Sequence, residues 1–504
     1  MPNAVFRTLN DGGCRQEVYT QRLLLLWSTA GPRAGSRERR GMTSPQDSAH
    51  TYTHPYIPNA VPAVRQAMLE EIGAAGVEDF YADIPDGIRL HRPLDLPAPL
   101  RSEAELTRHM EGLLGRNTST RQALSFLGSG CYQHHVPAVV DEVVNRSEFL
   151  TAYAGEPYED HGRFQALWEY QSMMAELLDV EIVNVPVYDG FQAAGTALRM
   201  AGRITGRRRV LVATAIDGDK LSRIRDYVRP DHDVTVVPVD PGTGCADLDA
   251  VRDALAAGDT AAVYADTPSA LGIVDGALPR LAELAHQAGA LYVMGCNPLT
   301  LGVLAPPSAL GADIACGDIQ PLGLHQSFGG GNAGFIATRD EERLVAEYPS
   351  RLFGLVPTTV EGEYGFGDVA YERTSFALRE EGKEWVGTAA ALHGIGAGVY
   401  LALMGPQGMR EIGETILALT AYARRRLAEV PGIEVPYGDA LHFADFTVRY
   451  TGGRTAAEIR TGLKERGIFG GVPTGEQEAA YCVTEVHTKA DIDRLAATLE
   501  EIVK

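Results

Sequence analysis

Two adjacent histidines, His134 and His135, follow a glycine-rich stretch and could begin a metal site. Adjacent side chains point to different sides and no third ligand is in view, so packing in a core or interface is the better account and no metal is expected. The run Phe328-Gly-Gly-Gly331 looks like a phosphate cradle, yet no Lys or Ser/Thr follows it as in a nucleotide loop, which leaves a tight backbone turn. Arg379 has the chemistry to clamp a carboxylate bidentately. Its plainer account is an exposed guanidinium loosely paired with Glu380 or Glu384. Tyr188-Asp189-Gly190 stands just before a predicted helix over 191–200. Asp189 suits the N-cap, and its carboxylate would occupy the positive helix end where an arriving phosphate would otherwise sit. The cysteines Cys14, Cys131, Cys245, Cys296, Cys316 and Cys482 show no CxxC pair or metal spacing and read as reduced thiols of a cytoplasmic protein.

These residues need a scaffold, which the apolar pattern supplies. Between about 125 and 353, short apolar runs at 210–213, 234–239, 261–265, 290–294 and 335–337 alternate with helical stretches such as 278–288. That alternation predicts an α/β domain: βα units, a mainly parallel sheet of the seven-stranded type, and helices on both faces. After about 367 a long helical stretch over 383–403 leads into a smaller α/β unit, which closes with a helix over 489–502 capped by Thr488. A large α/β domain followed by a small one fits a fold-type I PLP (pyridoxal phosphate) enzyme, although many folds share the pattern.

Upstream, 54–116 is polar and proline-punctuated, with helical stretches at 63–72 and 103–114 and no strand-forming run, like an arm that packs on something else. Residues 1–41 are rich in arginine (Arg33, Arg37, Arg39, Arg40) and read as a disordered extension, a targeting peptide or a mis-called start ahead of Met42. The expected division is therefore 1–41, a helical arm over 42–120, a large domain over 121–367, and a C-terminal helical and small α/β domain over 368–504.

With 504 residues and 45% apolar content, the chain can bury a sizeable core. Its 45 basic and 66 acidic residues give a charge of −21, which repels nucleic acid and anionic membrane surfaces. The longest early apolar run, 23–27, is far short of the roughly 20 residues a membrane helix needs, so no membrane partner is expected.

The segments His54-Pro-Tyr-Ile-Pro-Asn59, Asp83-Ile-Pro85 and Arg89-Leu-His-Arg-Pro-Leu94 resemble the opening of subunit 1 of the two-subunit glycine dehydrogenase (decarboxylating), the P-protein of the glycine cleavage system. The resemblance continues in order through Ser125-Phe-Leu-Gly128 with Tyr132 and His134, Pro137-Ala-Val-Val140, Arg146-Ser-Glu-Phe149, Glu169-Tyr-Gln171 and Tyr188-Asp-Gly190. It ends with Gln320-Pro-Leu-Gly323, Ser327-Phe-Gly-Gly330, Val483-Thr-Glu485 and Thr488-Lys489, so it spans about 54 to the terminus.

The resemblance implies a fold-type I PLP-dependent transferase-like subunit that pairs with a PLP-carrying subunit 2 in an α2β2 heterotetramer. The family reaction decarboxylates glycine and passes the aminomethyl group to the lipoyl arm of the H-protein. It also implies that His134, Tyr153, Tyr188, Gln320, Ser327 and Arg379 are the candidates to be lent to a shared active site.

Against that background the lysines are informative: Lys220, Lys383, Lys464, Lys489 and Lys504 are the only five. None falls between Lys220 and Lys383, where a fold-type I enzyme places its Schiff-base residue, and 318–325 has none. At the matching strand end Asn297 stands where the ring nitrogen of PLP wants a carboxylate. PLP is therefore expected on the partner subunit and not covalently on this chain.

Two segments depart from the family's pattern. Residues 154–162 are shortened by one residue, and 378–385 carries Glu381, Lys383, Glu384 and Trp385 in place of an ammonium and small hydrogen-bonding groups. Two other readings follow: a paralogous subunit of a PLP enzyme acting on a different amino acid, and a non-catalytic scaffold.

Overall fold

The structure, a computed structural model, describes residues 57, 59, 61–92, 94–100, 102–150, 163–375, 382–384 and 389–503. The chain divides into a unit ending at Arg101 and one beginning at Ser102. In the first, helix α1 (Pro62–Glu71) opens on proline, whose missing N–H costs nothing at that position, and short 3₁₀ turns follow at Val77–Tyr81 and Asp86–Ile88. Its described residues include no strand, and Leu69 alone among them is buried. The second unit opens with α2 (Glu103–Leu114), fixed by a capping box in which Ser102 Oγ accepts from Glu105 N at 3.2 Å.

Helix α3 (Phe164–Leu178) leads into a seven-stranded sheet. In chain order its strands are β1 (Ile182–Val183), β2 (Arg209–Val212), β3 (Asp233–Val236), β4 (Thr260–Thr267), β5 (Leu291–Cys296), β6 (Ile314–Asp318) and β7 (Gly334–Thr338). Their spatial order is β1-β7-β6-β5-β4-β2-β3, with β2 to β6 mutually parallel and β7 antiparallel to both its neighbours. All five predicted apolar runs become strands. The pattern misses β1, which has two residues, and β6, whose Ile-Ala-Cys-Gly-Asp sequence breaks the apolar run.

Side chains alternate across the sheet. Leu211, Val263, Ala265, Tyr292 and Met294 enter one core layer, whereas Val210, Val212, Ala262, Tyr264 and Val293 enter the other. The second layer is covered by α4 (Gly190–Thr205), whose buried Ala193, Ala197 and Ala201 let it lie close to the strands. The crossovers include α5 (Gly218–Val228) and α6 (Leu278–Gln287).

The predicted helix over 383–403 is displaced. Lys383 and Glu384 are not helical, Glu384 has φ +51°, and α7 runs Ala391–Ala428 with a break at Gly405-Pro406. The cause is ionic: Glu384 is tied to α4 by Arg199 and Arg203, which pulls it off any helical path.

A smaller antiparallel sheet then forms from β8 (Ile433–Glu434), β9 (Asp445–Tyr450), β10 (Val472–Pro473) and β11 (Glu478–Cys482), in the order β8-β9-β11-β10. It has its own core with α8 (Ala456–Glu465) and α9 (Lys489–Val503). Thr488 caps α9 as expected, its Oγ1 accepting from Asp491 N at 3.2 Å while Asp491 Oδ2 accepts from Thr488 N at 2.8 Å.

Candidate functional site

The chain leaves β2 toward β3 on one side and returns to β4 on the other, so the connections part at the carboxyl ends of β2 and β4. Such a switch point opens a crevice in an α/β sheet. Here it forms a cavity of about 630 Å³, closed on the small-domain side by Phe443 and Asp445.

The first feature in it is an ammonium that the lysine distribution had not pointed to. Asp217 caps α5, its Oδ1 accepting from Asp219 N at 2.9 Å and Lys220 N at 3.1 Å, which sets Lys220 on the first turn of the helix. Lys220 Nζ lies 2.7 Å from Asp266 Oδ1 at the end of β4, and the same oxygen accepts from Tyr264 OH at 2.6 Å. The ammonium also stands 5.3 Å from the Tyr264 ring centroid and 5.9 Å from that of Phe191. With 15% and 12% side-chain exposure, Lys220 and Asp266 form a buried pair. Burial, reinforced by the Asp266 charge, pushes the Tyr264 hydroxyl far above its ordinary pKa, so it stays a proton donor. Gly295 makes room for this arrangement, since a Cβ there would stand 2.0 Å from Asp266 Oδ1.

The second feature is a pair of carboxylates at the N-terminus of α4. Asp189 is the N-cap predicted from sequence, its Oδ1 accepting from Gln192 N at 2.7 Å. Asp318, the last residue of β6, accepts from Gly190 N at 2.9 Å through Oδ2, and from Gln320 N at 2.8 Å and Ala333 N at 3.2 Å through Oδ1. Burial pushes Asp318 up to about 7 against these three amides, with the nearby Asp189 charge adding to the rise. Asp445 enters from the head of β9, and burial lifts it to about 6 despite hydrogen bonds from Tyr132 and the Ser129 amide. Asn297 lines the cavity too, but its Oδ1 accepts from Leu299 N at 3.0 Å as the cap of a 3₁₀ turn.

The six residues singled out by resemblance separate. Tyr188 lines the cavity and is 53% exposed. Ser327 is exposed on the rim in a tight turn, where Gly329 N reaches Gln326 O at 2.8 Å and Gly330 N reaches Ser327 O at 3.0 Å; the glycine run is thus the turn expected of it. Gln320 is fully buried, accepting from Tyr132 N and donating to Tyr132 O and Leu324 O, each at 2.9 Å, and so braces the segment before the histidines. His134 is buried against Glu485, Nδ1 to Oε2 2.7 Å, while Glu485 Oε1 accepts from His135 N at 2.8 Å. Tyr153 and Arg379 lie outside the described residues. No group of three metal-ligating side chains occurs among the described residues. The five described cysteines are free, and no described helix is long and apolar enough to cross a membrane.

Sequence reasoning missed Lys220, Asp266, Asp318 and Asp445. The one usable signal was Asp266, next to last in the predicted strand β4; Asp318 ends β6, which the apolar pattern does not show.

The altered segment also resolves in part. Lys383 pairs with Glu347, and Glu384 bridges Arg199 and Arg203, with Arg203 Nη1 to Glu384 Oε1 at 2.8 Å. Glu384 fastens the segment to α4 and Lys383 ties it to Glu347, and neither lines the cavity.

A mainly parallel seven-stranded sheet, a smaller antiparallel domain after it and a cavity at the strand ends define the fold-type I PLP-dependent transferase class. Sphingosine-1-phosphate lyase from Burkholderia pseudomallei shares that fold at 16% identity, with TM-score 0.59 over 84% of this chain and 94% of its own. The sequence model described as glycine cleavage system P-protein matches residues 54–499, and the chain belongs to that family. The probable glycine dehydrogenase (decarboxylating) subunit 1 of Aeropyrum pernix is 38% identical over 89% of this chain and 99% of its own length. A crystal structure of inhibitor-bound glycine decarboxylase (P-protein) matches at TM-score 0.77 and 35% identity, over 88% of this chain and 98% of its own.

Proposed function

We propose that this chain is the cofactor-free subunit of a two-subunit glycine decarboxylase, assembled in the cytoplasm with a second subunit that carries PLP in an α2β2 complex. The observation that carries this reading is the N-terminus of α4. Its cap oxygen belongs to Asp189 and its first amide is bonded to Asp318, so the seat a PLP phosphate needs already holds two carboxylates.

The lysine pattern supports the same reading: the connection from β6 to β7 has none, and Lys220 approaches from α5 already paired to Asp266. These residues do not fit the phosphate or the covalent anchor of PLP. PLP held by the partner would supply the electron sink for loss of CO2 from glycine, with the lipoyl arm of the H-protein as acceptor of the aminomethyl group.

This chain's share is to bind the partner and complete its site from the rim. Tyr188 and Ser327 are the exposed side chains available for that. Tyr153 and Arg379 remain proposed lenders, Arg379 for the glycine carboxylate. His134 and Gln320 act indirectly, by holding the segment between them and Tyr132 in place.

The test is to measure PLP absorbance and glycine–bicarbonate CO2 exchange for this chain, a candidate PLP subunit and their mixture. The expected result is absorbance from the partner alone and exchange from the mixture alone. Stable assembly without exchange would point to a paralogue with another amino-acid substrate, and a PLP band on this chain by itself would overturn the proposal.

A further inference from the structure

Exposed apolar surface is distributed unevenly along the chain. Of the 28 large hydrophobic residues that stand exposed among the described residues, 17 fall within 57–114 and the other 11 are spread over 115–503. Folded chains scatter such residues singly, and a concentration of them marks a surface that another molecule covers. In the unit ending at Arg101, Ile88 is 79% and Leu96 70% exposed, and Leu69 alone is buried. The exposed apolar residues of that unit present on the order of 1,000 Å², more than the ~800 Å² that one partner gives to a standard interface.

The two helices of this stretch show that the surface is patterned. On α1 and its C-cap, Val64, Met68 and Ile72 recur at four-residue steps and all are exposed. On α2, Leu106, Met110 and Leu113 follow the i, i+4, i+7 spacing of a stripe that a surface helix turns into a core, yet α2 buries none of its 12 residues. A helix of that length is marginal in water by itself and takes its stability from packing an apolar face. The capping box at Ser102 fixes where α2 starts but gives that face nothing to pack on. Each stripe is thus built to be covered on assembly.

We propose that 57–114 is a docking arm for the PLP-carrying subunit, whose complementary surface is an apolar channel with a basic rim. The described residues from 57 to 100 hold seven carboxylates against three arginines, one of which, Arg89, is paired to Glu78. A second copy of this chain carries a charge of −21 and repels so acidic an arm at long range, which favours a different partner. The sequence shared with the family begins at 54, so the arm lies inside it. The inference rests on the reading that a PLP-carrying subunit is the partner of this chain.

The test is amide hydrogen exchange of the full chain, alone and mixed with the candidate PLP subunit, together with sedimentation of the mixture. The amides of α1 and α2 should exchange rapidly in the chain alone and become protected in the mixture. Ile88→Glu, Leu96→Glu and Met110→Glu change exposed side chains, so the unfolding midpoint of the isolated chain should stay the same while assembly weakens roughly tenfold in each. Leu403→Glu, exposed on α7 outside the arm, should leave assembly unchanged. Protection already present in the chain alone would overturn the inference: if independent of concentration, this chain covers its own arm, and if it rises with concentration, a second copy does. Undiminished assembly in the three arm variants, or equal weakening by Leu403→Glu, would sink the arm and leave the functional proposal standing. A wild-type chain that neither assembles with the PLP subunit nor supports CO2 exchange would overturn both.

Discussion

The Gly190 amide donates to Asp318 Oδ2 at 2.9 Å, so the first free N–H of α4 is bonded to a carboxylate fixed at the end of β6. Gly190 is required for this approach. A Cβ at position 190 would stand 3.1 Å from both Asp318 Cβ and Asp318 N. Gly190→Ala should destabilise the chain by about 1–2 kcal/mol, read as a lower denaturant midpoint, because backbone on both sides has to shift. An unchanged midpoint would mean that the helix and strand are less tightly joined than the geometry indicates.

Asp318 also gives the fold a pH dependence. A carboxyl raised from 3.8 to about 7 binds more protons folded than unfolded across that interval, so stability falls as pH rises through it and levels off above. The wild type should therefore lose, relative to Asp318→Asn, on the order of a few kcal/mol between pH 4 and 7.5, measured by urea unfolding across that range. A wild type that gains stability relative to Asp318→Asn as pH rises would contradict a carboxyl held up by burial.

Lys220→Met leaves Asp266 buried with Tyr264 as its remaining donor. We expect a loss of roughly 3 kcal/mol in unfolding free energy, partly recovered in Lys220→Met with Asp266→Asn. In the assembled enzyme the same substitution should leave PLP absorbance unchanged.

His134→Ala strands the Glu485 carboxylate, whose other oxygen holds the His135 amide. The expected cost is roughly 3 kcal/mol, and a double-mutant cycle with Glu485→Gln should return most of it as coupling energy. Additive losses would show the pair to be a neighbour relation without energetic content.

Phe328 is 92% exposed, on a turn where both Ser327 and Phe328 have positive φ. Phe328→Ala should leave the stability of the isolated chain within about 0.5 kcal/mol of wild type. Sedimentation should show roughly tenfold weaker assembly with the PLP subunit, as loss of an aromatic anchor would give. Equal assembly would remove this rim from the subunit interface.

Much of the fold was legible because local chemistry already decided it. The alternation of apolar runs and helical stretches gave five of the seven sheet strands, and the caps Asp189 and Thr488 carry side-chain oxygens suited to free amides. The helix expected from 383 was wrong for a tertiary reason: Glu384 is paid for by two arginines of α4, about 180 residues away, which no local pattern reports.

The sequence by itself determined the family, the α/β class and the lack of any lysine from 221 to 382, since order, periodicity and residue type are properties of the chain. What only the tertiary structure decided is which groups share the cavity. Asp266 and Asp318 lie on strands of the large sheet, Asp445 on a strand of the small one and Lys220 on a helix, and strand order and domain packing, not spacing in the chain, bring them together. Whether a charge there is free, paired or held protonated depends on burial and on partners distant in sequence, and so it follows from the packed fold.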